Sequence, residues 1–317
     1  MWQNCFQDWQ LEKLIPGFEI FDFRSNPRPE WREFELFRHV WEAGIHRSAD
    51  LLGVVSSRFQ AKTRLNGHDV RQWIDSHPGK QVYFVHPWPQ WSYAGFSVID
   101  RFPYIHESHA FIPAFQRVLD LAGVPLDFLQ PTRDHNGNHG MSSYWFGSPA
   151  FWEGIMSDLV LPVLKLSRRE LGTELHDLLY QPFPYYGRSS HRAGGLPFLL
   201  ERATVLYVKA QWLDQAAFYP RTRQQILDAC VFPFERDLVE TFGDRVDEWD
   251  AAGSYDRQAM AYFDLASRHT AYGWLSYMNM HPVDFDHGDP RPHLPWFKGK
   301  SGSVTFRAEK PEALEVS

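Results

Sequence analysis

The chain has 317 residues, 44% of them hydrophobic, which is enough for a sizeable core and excludes a wholly disordered chain. Its net charge of −7 argues against nucleic-acid binding, which requires a basic face. Two cysteines, Cys5 and Cys230, exclude a disulfide framework and favour a reducing compartment. Neither a secretory leader nor a stretch of about 20 apolar residues is visible, so we expect a cytoplasmic protein without a transmembrane segment. Peripheral contact with a membrane stays open.

The first half of the chain alternates strand-like and helix-like segments, a pattern typical of an α/β fold. Residues 18–23 form a β-rich run, and a helix is expected to start near Pro29, because proline suits the first helical turn. Residues 51–55 and 81–86 predict buried strands, the second of which ends at Pro87. Ligands of open α/β sheets bind beyond the carboxyl ends of strands, which predicts that His86, Trp88 and Trp91 lie near a site.

The second half continues with a strand at residues 142–147 and a helix capped by Ser148. Residues 181–195 are rich in Gly, Pro and Tyr, which predicts a long functional loop. A helix at 196–211 follows, and charged amphipathic helices are expected at 223–242 and 255–267. These patterns divide the chain into an α/β domain at 1–215, a helical C-terminal region at 216–297 and a flexible tail at 298–317.

Three groups of residues suggest chemistry, and each has an ordinary alternative. Glu201, after a Gly-rich stretch, suits a general base, or an ion-pair partner of Arg202. Basic residues near the early strands suit a diphosphate or a solvated surface; they are Arg24, Arg28, Arg58, Lys62 and Arg64. The last group suits a divalent metal or a series of turns; it contains Asp284, Asp286, His287, Asp289 and His293.

The sequence is rich in aromatic residues, with 25 Phe, 13 Tyr and 13 Trp. These rings either stack on sugar faces or fill the core, and the second use is more common. Neither a P-loop, a G-x-G-x-x-G fingerprint nor a G-x-S-x-G nucleophile elbow is present, which argues against the enzymes that depend on them.

Four segments resemble bacterial proteins encoded among polysaccharide-assembly enzymes and glycosyltransferases of the GT-A type. They are RPEWREFELFRH (28–39), GVVSSRFQAKTRLNG with QVYFVHPWP (53–67 and 81–89), SSYWFGSPAFWEGIMSDLVLPVL (142–164) and GGLPFLLERATVLYV (194–208). The resemblance covers residues 17–209. It implies a mixed sheet flanked by helices, with a helical C-terminal extension. It also implies a nucleotide-sugar donor and a glycan or lipid-linked acceptor, with hexosyltransferase-like activity in polysaccharide or glycoconjugate synthesis.

The resemblance also implies roles for individual residues. Glu201 would be the base or the clamp on the acceptor. The donor sugar would lie beside Ser142, Ser143 and Tyr144, and Lys62 and Arg28 would face its diphosphate.

Apart from the resemblance, we predict four more site residues. His86 would be a second catalytic residue, Arg202 would also bind the donor, and Trp88 and Trp91 would stack on the sugar.

One departure from the GT-A pattern concerns the metal. GT-A enzymes commonly carry an Asp-x-Asp that binds a metal and the donor phosphates, whereas the expected strand end here reads VHPWPQ (residues 85–90). Either basic side chains replace the ion, or Asp284, Asp286 and His287 bind Mn²⁺ or Mg²⁺, or the activity has been lost. A metal-dependent hydrolase of a glycan or ester, and a non-catalytic glycan-binding or assembly protein, are therefore the alternative functions.

Overall fold

The computed structural model describes residues 1–105, 108–185 and 188–280, which form a mixed α/β fold. The strands are β1 (Trp2–Cys5), β2 (Glu19–Asp22), β3 (Val54–Ser56), β4 (Val82–Phe84), β5 (Trp145–Gly147), β6 (Phe183–Tyr185), β7 (Arg188–Ala193) and β8 (Ala216–Phe218). The helices of the first half are α1 (Asp8–Leu11), α2 (Glu33–Glu42), α3 (Phe59–Thr63), α4 (Gly67–Ser76), α5 (Trp91–Ala94), α6 (Phe102–Ile105) and α7 (Phe111–Leu121). Those of the second half are α8 (Pro149–Ile155), α9 (Leu161–Leu164), α10 (Arg168–Tyr180), α11 (Leu196–Gln211), α12 (Arg223–Ala229), α13 (Pro233–Ala252) and α14 (Arg257–Met280).

Two small sheets meet edge to edge. In the first, β1 lies between β2 and β3 and is parallel to both. In the second, β4 lies between antiparallel β5 and parallel β8. Leu52 and Gly147 exchange backbone hydrogen bonds of 2.8 and 2.9 Å, which join β5 to the chain just before β3. The order across both sheets is therefore β2-β1-β3-β5-β4-β8.

The chain changes direction across the sheet at β1. From β1 it continues to β2 on one side, and from β2 it returns to β3 on the other side. The connections at the ends of β1 and β3 thus run apart and leave a crevice between them. In open α/β sheets this crevice, at the carboxyl ends of the strands, is the usual ligand site.

The aromatic side chains mostly fill the core. Trp145 and Trp152 pack with ring centroids 4.6 Å apart, and Phe37 meets the Trp152 ring edge-on at 5.5 Å. The Trp152 indole N–H donates to the Leu52 carbonyl at 2.9 Å, so its polar edge is also satisfied. Such pairs contribute about 0.5–1.5 kcal/mol beyond their burial. The excess of rings is thus largely explained by packing.

The predicted loop at residues 181–195 is wrong, because this segment contains the hairpin of β6 and β7. The strands pair antiparallel, with Phe183 opposite Ala193 and Pro184 opposite Arg192. Proline is tolerated here because a two-stranded sheet consists only of edge strands. The Gly- and Pro-rich composition concealed the pairing.

The C-terminal region contributes strand β8 to the second sheet, and its helices pack on helices of the first half of the chain. In β8, Ala217 lies opposite Tyr83 of β4, so the sheet extends past the predicted boundary at residue 216. Helix α13 packs on α5, and α14 packs on both α5 and α6. Within the described residues, every helix is too short or too polar to cross a membrane. The whole of the predicted tail (298–317) and residues 281–297 before it lie outside the described residues.

Candidate functional site

A cleft of about 580 Å³ opens at the carboxyl edge of the parallel sheet. The segments after the three strands supply much of its wall: Asn4, Phe6 and Gln7 at β1, Arg24 and Asn26 after β2, and Ser56, Ser57 and Arg58 at β3. The volume falls in the range of roughly 300–1,000 Å³ typical of small-molecule sites. Its position at the change of strand direction is the one that the topology predicts.

The walls of the cleft are rich in cations. Arg24, Arg32, Arg58 and Lys62 line it, together with the carboxylates of Glu33 and Glu201. The charge of Arg24 is compensated by two carboxylates that do not line the cleft. Its guanidinium lies 2.7 Å from Asp8 and 2.7 Å from Asp22.

The remaining five charges interact with one another and are called the inner group: Arg32, Arg58, Lys62, Glu33 and Glu201. The cleft thus brings together three cations and two carboxylates. Cationic side chains concentrated in a cleft attract anionic ligands.

Lys62, in the last turn of α3, has a strongly shifted pKa. Its pKa is lowered from 10.5 to about 8, chiefly by burial and then by the charge of Arg58, whereas Glu201 and Glu33 act in the opposite direction. Its Nζ lies 5.6 Å from the centre of the Tyr144 ring. A desolvated ammonium among other cations binds an anion strongly, since little water has to be displaced.

Glu201, in the second turn of α11, accepts one hydrogen bond and lies beside a cation. The Ser142 backbone N–H donates to Oε1 at 2.5 Å, and the Arg202 guanidinium lies 3.7 Å from Oε2. The carboxylate therefore has a defined position, and 14% of its side chain stays exposed to the cleft.

The segment opposite Glu201 has an unusual backbone. Ser142 and Ser143 adopt the left-handed region with φ of 63° and 53°, and a third cleft residue, Arg32, has φ of 50°. Such conformations are unfavourable for residues other than glycine and often mark functional sites. The buried Oγ of Ser143 has no hydrogen-bond partner in the described part of the chain, so a ligand hydroxyl or a water would satisfy it.

Five of the residues predicted to act on substrate line this one cleft: Lys62, Ser142, Ser143, Tyr144 and Glu201. The neighbouring Ser56 Oγ and Tyr144 hydroxyl are 2.7 Å apart, which fixes the tyrosine at the wall. Lys62 and Glu201 therefore line the same cleft.

The predicted sugar platform does not lie in the cleft. Trp88 and Trp91 are each only 6% exposed and stack on one another with centroids 5.7 Å apart. Trp274 of α14 packs edge-on against both rings. Burial by a helix distant in sequence leaves neither ring face for a sugar in the cleft. The aromatic residues that do line the cleft include Phe6 and Trp9.

Three further predicted residues also lie away from the cleft. His86 is buried against His139, with ring centroids 3.6 Å apart. Arg28 is exposed and its guanidinium lies 4.5 Å from the centre of the Trp31 ring. Arg202 is 4% exposed and lies behind Glu201, over the Phe102 ring at 4.2 Å. Arg202 thus contacts a residue of the cleft, Glu201, and is not part of the cleft lining.

The histidine pair should make the fold sensitive to acid. Burial lowers the pKa of both His86 and His139 well below 6.5, so the unfolded chain binds more protons below that pH. Stability should be complete above pH 6.5 and fall below it, by up to about 1.4 kcal/mol per pH unit for each histidine. We expect His139→Gln to lower the slope of the unfolding free energy against pH by up to about 1.4 kcal/mol per pH unit. Urea unfolding at pH 5–7 measures this slope. An equal reduction by the exposed control His68→Gln would contradict the assignment.

The sequence alone did not single out Arg32 or Glu33 as site residues. Both lie in the segment predicted as the start of a helix, where charged residues are ordinary. In the structure both side chains line the cleft where α2 begins. Arg32 precedes the helix and has a left-handed φ there.

The predicted metal ligands Asp284, Asp286 and His287 lie outside the described residues. Among residues 1–105, 108–185 and 188–280, we find no group of three or more His, Cys, Asp or Glu side chains that could hold a metal ion.

A comparison of the chain with protein-family models, curated proteins and solved structures gives no match.

Proposed function

We propose that this chain is a glycosyltransferase that binds a nucleotide-diphosphate sugar in the cleft and transfers the sugar to a hydroxyl acceptor. The observation that carries the proposal is the inner group, in which three cations face two carboxylates at the carboxyl edge of a parallel sheet. The parallel strands and the antiparallel β5 are compatible with the GT-A-type fold that the sequence resemblance implies.

Each part of the cleft suits one part of such a donor. Arg32, Arg58 and Lys62 would hold the diphosphate and stabilise the charge that develops on it as it leaves. Glu201 would accept hydrogen bonds from sugar hydroxyls, because carboxylates are acceptors in their ionised form. The orphaned Ser143 hydroxyl would bind another sugar oxygen.

The direct test is a panel of nucleoside diphosphates and their hexose conjugates. We expect UDP or GDP to raise the melting temperature, corresponding to about 2.7 kcal/mol of added stability at a concentration 100 times the Kd. Incubation with the matching nucleotide sugar should release nucleoside diphosphate above the background rate. The panel is run with and without Mn²⁺.

Two results would favour the other functions. Binding of glycans without donor turnover would support a non-catalytic glycan-binding protein. Stoichiometric, tightly held zinc in the purified protein, without stabilisation by any nucleotide, would support the metal-dependent hydrolase.

A further inference from the structure

Two carboxylates share the cleft, but their surroundings differ. Glu201 accepts a hydrogen bond from the Ser142 amide at 2.5 Å, and the Arg202 guanidinium lies 3.7 Å from its other oxygen. The amide hydrogen bond holds the carboxylate in one orientation. It suits Glu201 to orienting a substrate hydroxyl and leaves the removal of a proton to another group.

Glu33 lies on the same cleft as the first residue of α2. Burial raises its pKa, and the charge of Glu201 raises it further, whereas its own backbone N–H, Arg32 and Lys62 act in the opposite direction. A desolvated carboxylate beside a second carboxylate is a stronger base than one in water. Pairs whose environments differ in this way commonly divide the roles of orienting and of proton transfer.

We propose that Glu33, and not Glu201, accepts the proton of the acceptor hydroxyl in the transfer reaction, an inference that depends on the transferase function proposed above. The acceptor oxygen forms a bond to the anomeric carbon as its proton moves to a Glu33 oxygen. The bond from that carbon to the β-phosphate oxygen breaks, and its electron pair leaves with the nucleoside diphosphate. One displacement of this kind inverts the anomeric configuration.

The other members of the inner group have distinct parts in this step. Lys62 and Arg58 face the departing phosphate, and Glu201 orients the hydroxyl. The charges of Arg32 and Lys62 favour the anionic form of Glu33, which is the form that accepts a proton. Only Glu33 changes its protonation state during transfer.

The experiment compares Glu33→Gln with Glu201→Gln, each isosteric with the wild-type residue. Donor hydrolysis, in which water is the acceptor, gives kcat and KM without knowledge of the natural acceptor. We expect Glu33→Gln to lower kcat by about 100-fold or more, with KM for the donor and Kd for UDP or GDP changed by less than about threefold. The fall in wild-type kcat at acid pH should disappear from the residual activity of Glu33→Gln and persist in Glu201→Gln. Glu33→Asp should restore part of kcat.

Two outcomes would overturn the assignment. One is a kcat of Glu33→Gln within about threefold of wild type, and the other is an acid limb that disappears in Glu201→Gln instead. A retained sugar configuration in the product would also exclude the single displacement. If the wild type neither binds UDP or GDP nor hydrolyses any donor, the proposed function fails first, and that result is distinct from a normal Kd with an unchanged kcat.

Discussion

Replacing Lys62 with methionine should weaken the binding of UDP or GDP by about 10- to 100-fold, because hydrogen bonds to charged groups contribute about 1.5–3 kcal/mol. The loss should be larger in turnover, about 10²–10³-fold, since charge on the leaving phosphate develops in the transition state. The protein should remain fully folded, because the variant removes an ammonium that burial disfavours. Calorimetric titration and donor-hydrolysis kinetics measure the two effects.

The same lysine should also make binding depend on pH. Its pKa of about 8 in the free protein means that the ammonium charge is lost as the pH rises through 8. Because the anion binds the protonated form, affinity should fall by up to about tenfold per pH unit above that value. Lys62→Arg should remove this dependence, since arginine stays charged.

A matched control is Arg236→Gln, which removes a charge on α13 that is 42% exposed and pairs with Glu240 at 2.8 Å. It should change neither Kd nor turnover. Equal losses in Arg236→Gln and Lys62→Met, or an affinity of Lys62→Met equal to that of the wild type, would contradict a role for Lys62 in holding phosphate.

Replacing Arg133 with methionine should destabilise the fold by about 3–5 kcal/mol, the usual effect of breaking a buried ion pair. The guanidinium donates to both carboxylate oxygens of Asp250 on α13 at 2.8 and 3.0 Å, and to the carbonyls of Ser92 and Gly95. It also packs over the Phe263 ring at 4.3 Å. One side chain therefore holds α13 and α14 against the segment that contains α5.

Urea unfolding at pH 7 provides the measurement, with Arg245→Gln as the control. Arg245 pairs with Glu248 on the exposed face of the same helix and should contribute at most about 1 kcal/mol. Because Asp250 would be left buried without its partner, Arg133→Met/Asp250→Leu should be less destabilised than Arg133→Met alone. A loss below 1 kcal/mol in Arg133→Met would contradict this role of Arg133.

Local signals in the sequence predicted many of the elements. The helix at 196–211 has the predicted ends, and Ser148 caps α8 as predicted by accepting from the Phe151 amide. Strand β4 lies within the predicted segment 81–86. These cases succeed because caps, prolines and buried runs act over a few residues. The central strand β1 was missed, since its residues alternate weakly and its pairing depends on β2 and β3.

Whether a predicted site residue lines the cleft depends on packing between distant parts of the chain. Glu201 and Lys62 were predicted from local patterns and resemblance, and both line the cleft. Trp88 and Trp91 were expected there because they follow β4, but Trp274, far along the chain, covers them. Long-range packing decides which side chains are accessible, and no local pattern in the sequence reports it.

The central claim, that the inner group holds the phosphates of a nucleotide, is tested most directly by titration calorimetry with a nucleoside and its diphosphate. For wild-type protein we expect UDP or GDP to bind at least about 100-fold more tightly than uridine or guanosine, with an affinity that falls as salt is raised. Arg32→Gln/Arg58→Gln should abolish this difference while Arg236→Gln preserves it. Equal affinity for nucleoside and diphosphate in the wild type, or a difference that survives in the double variant, would contradict the account.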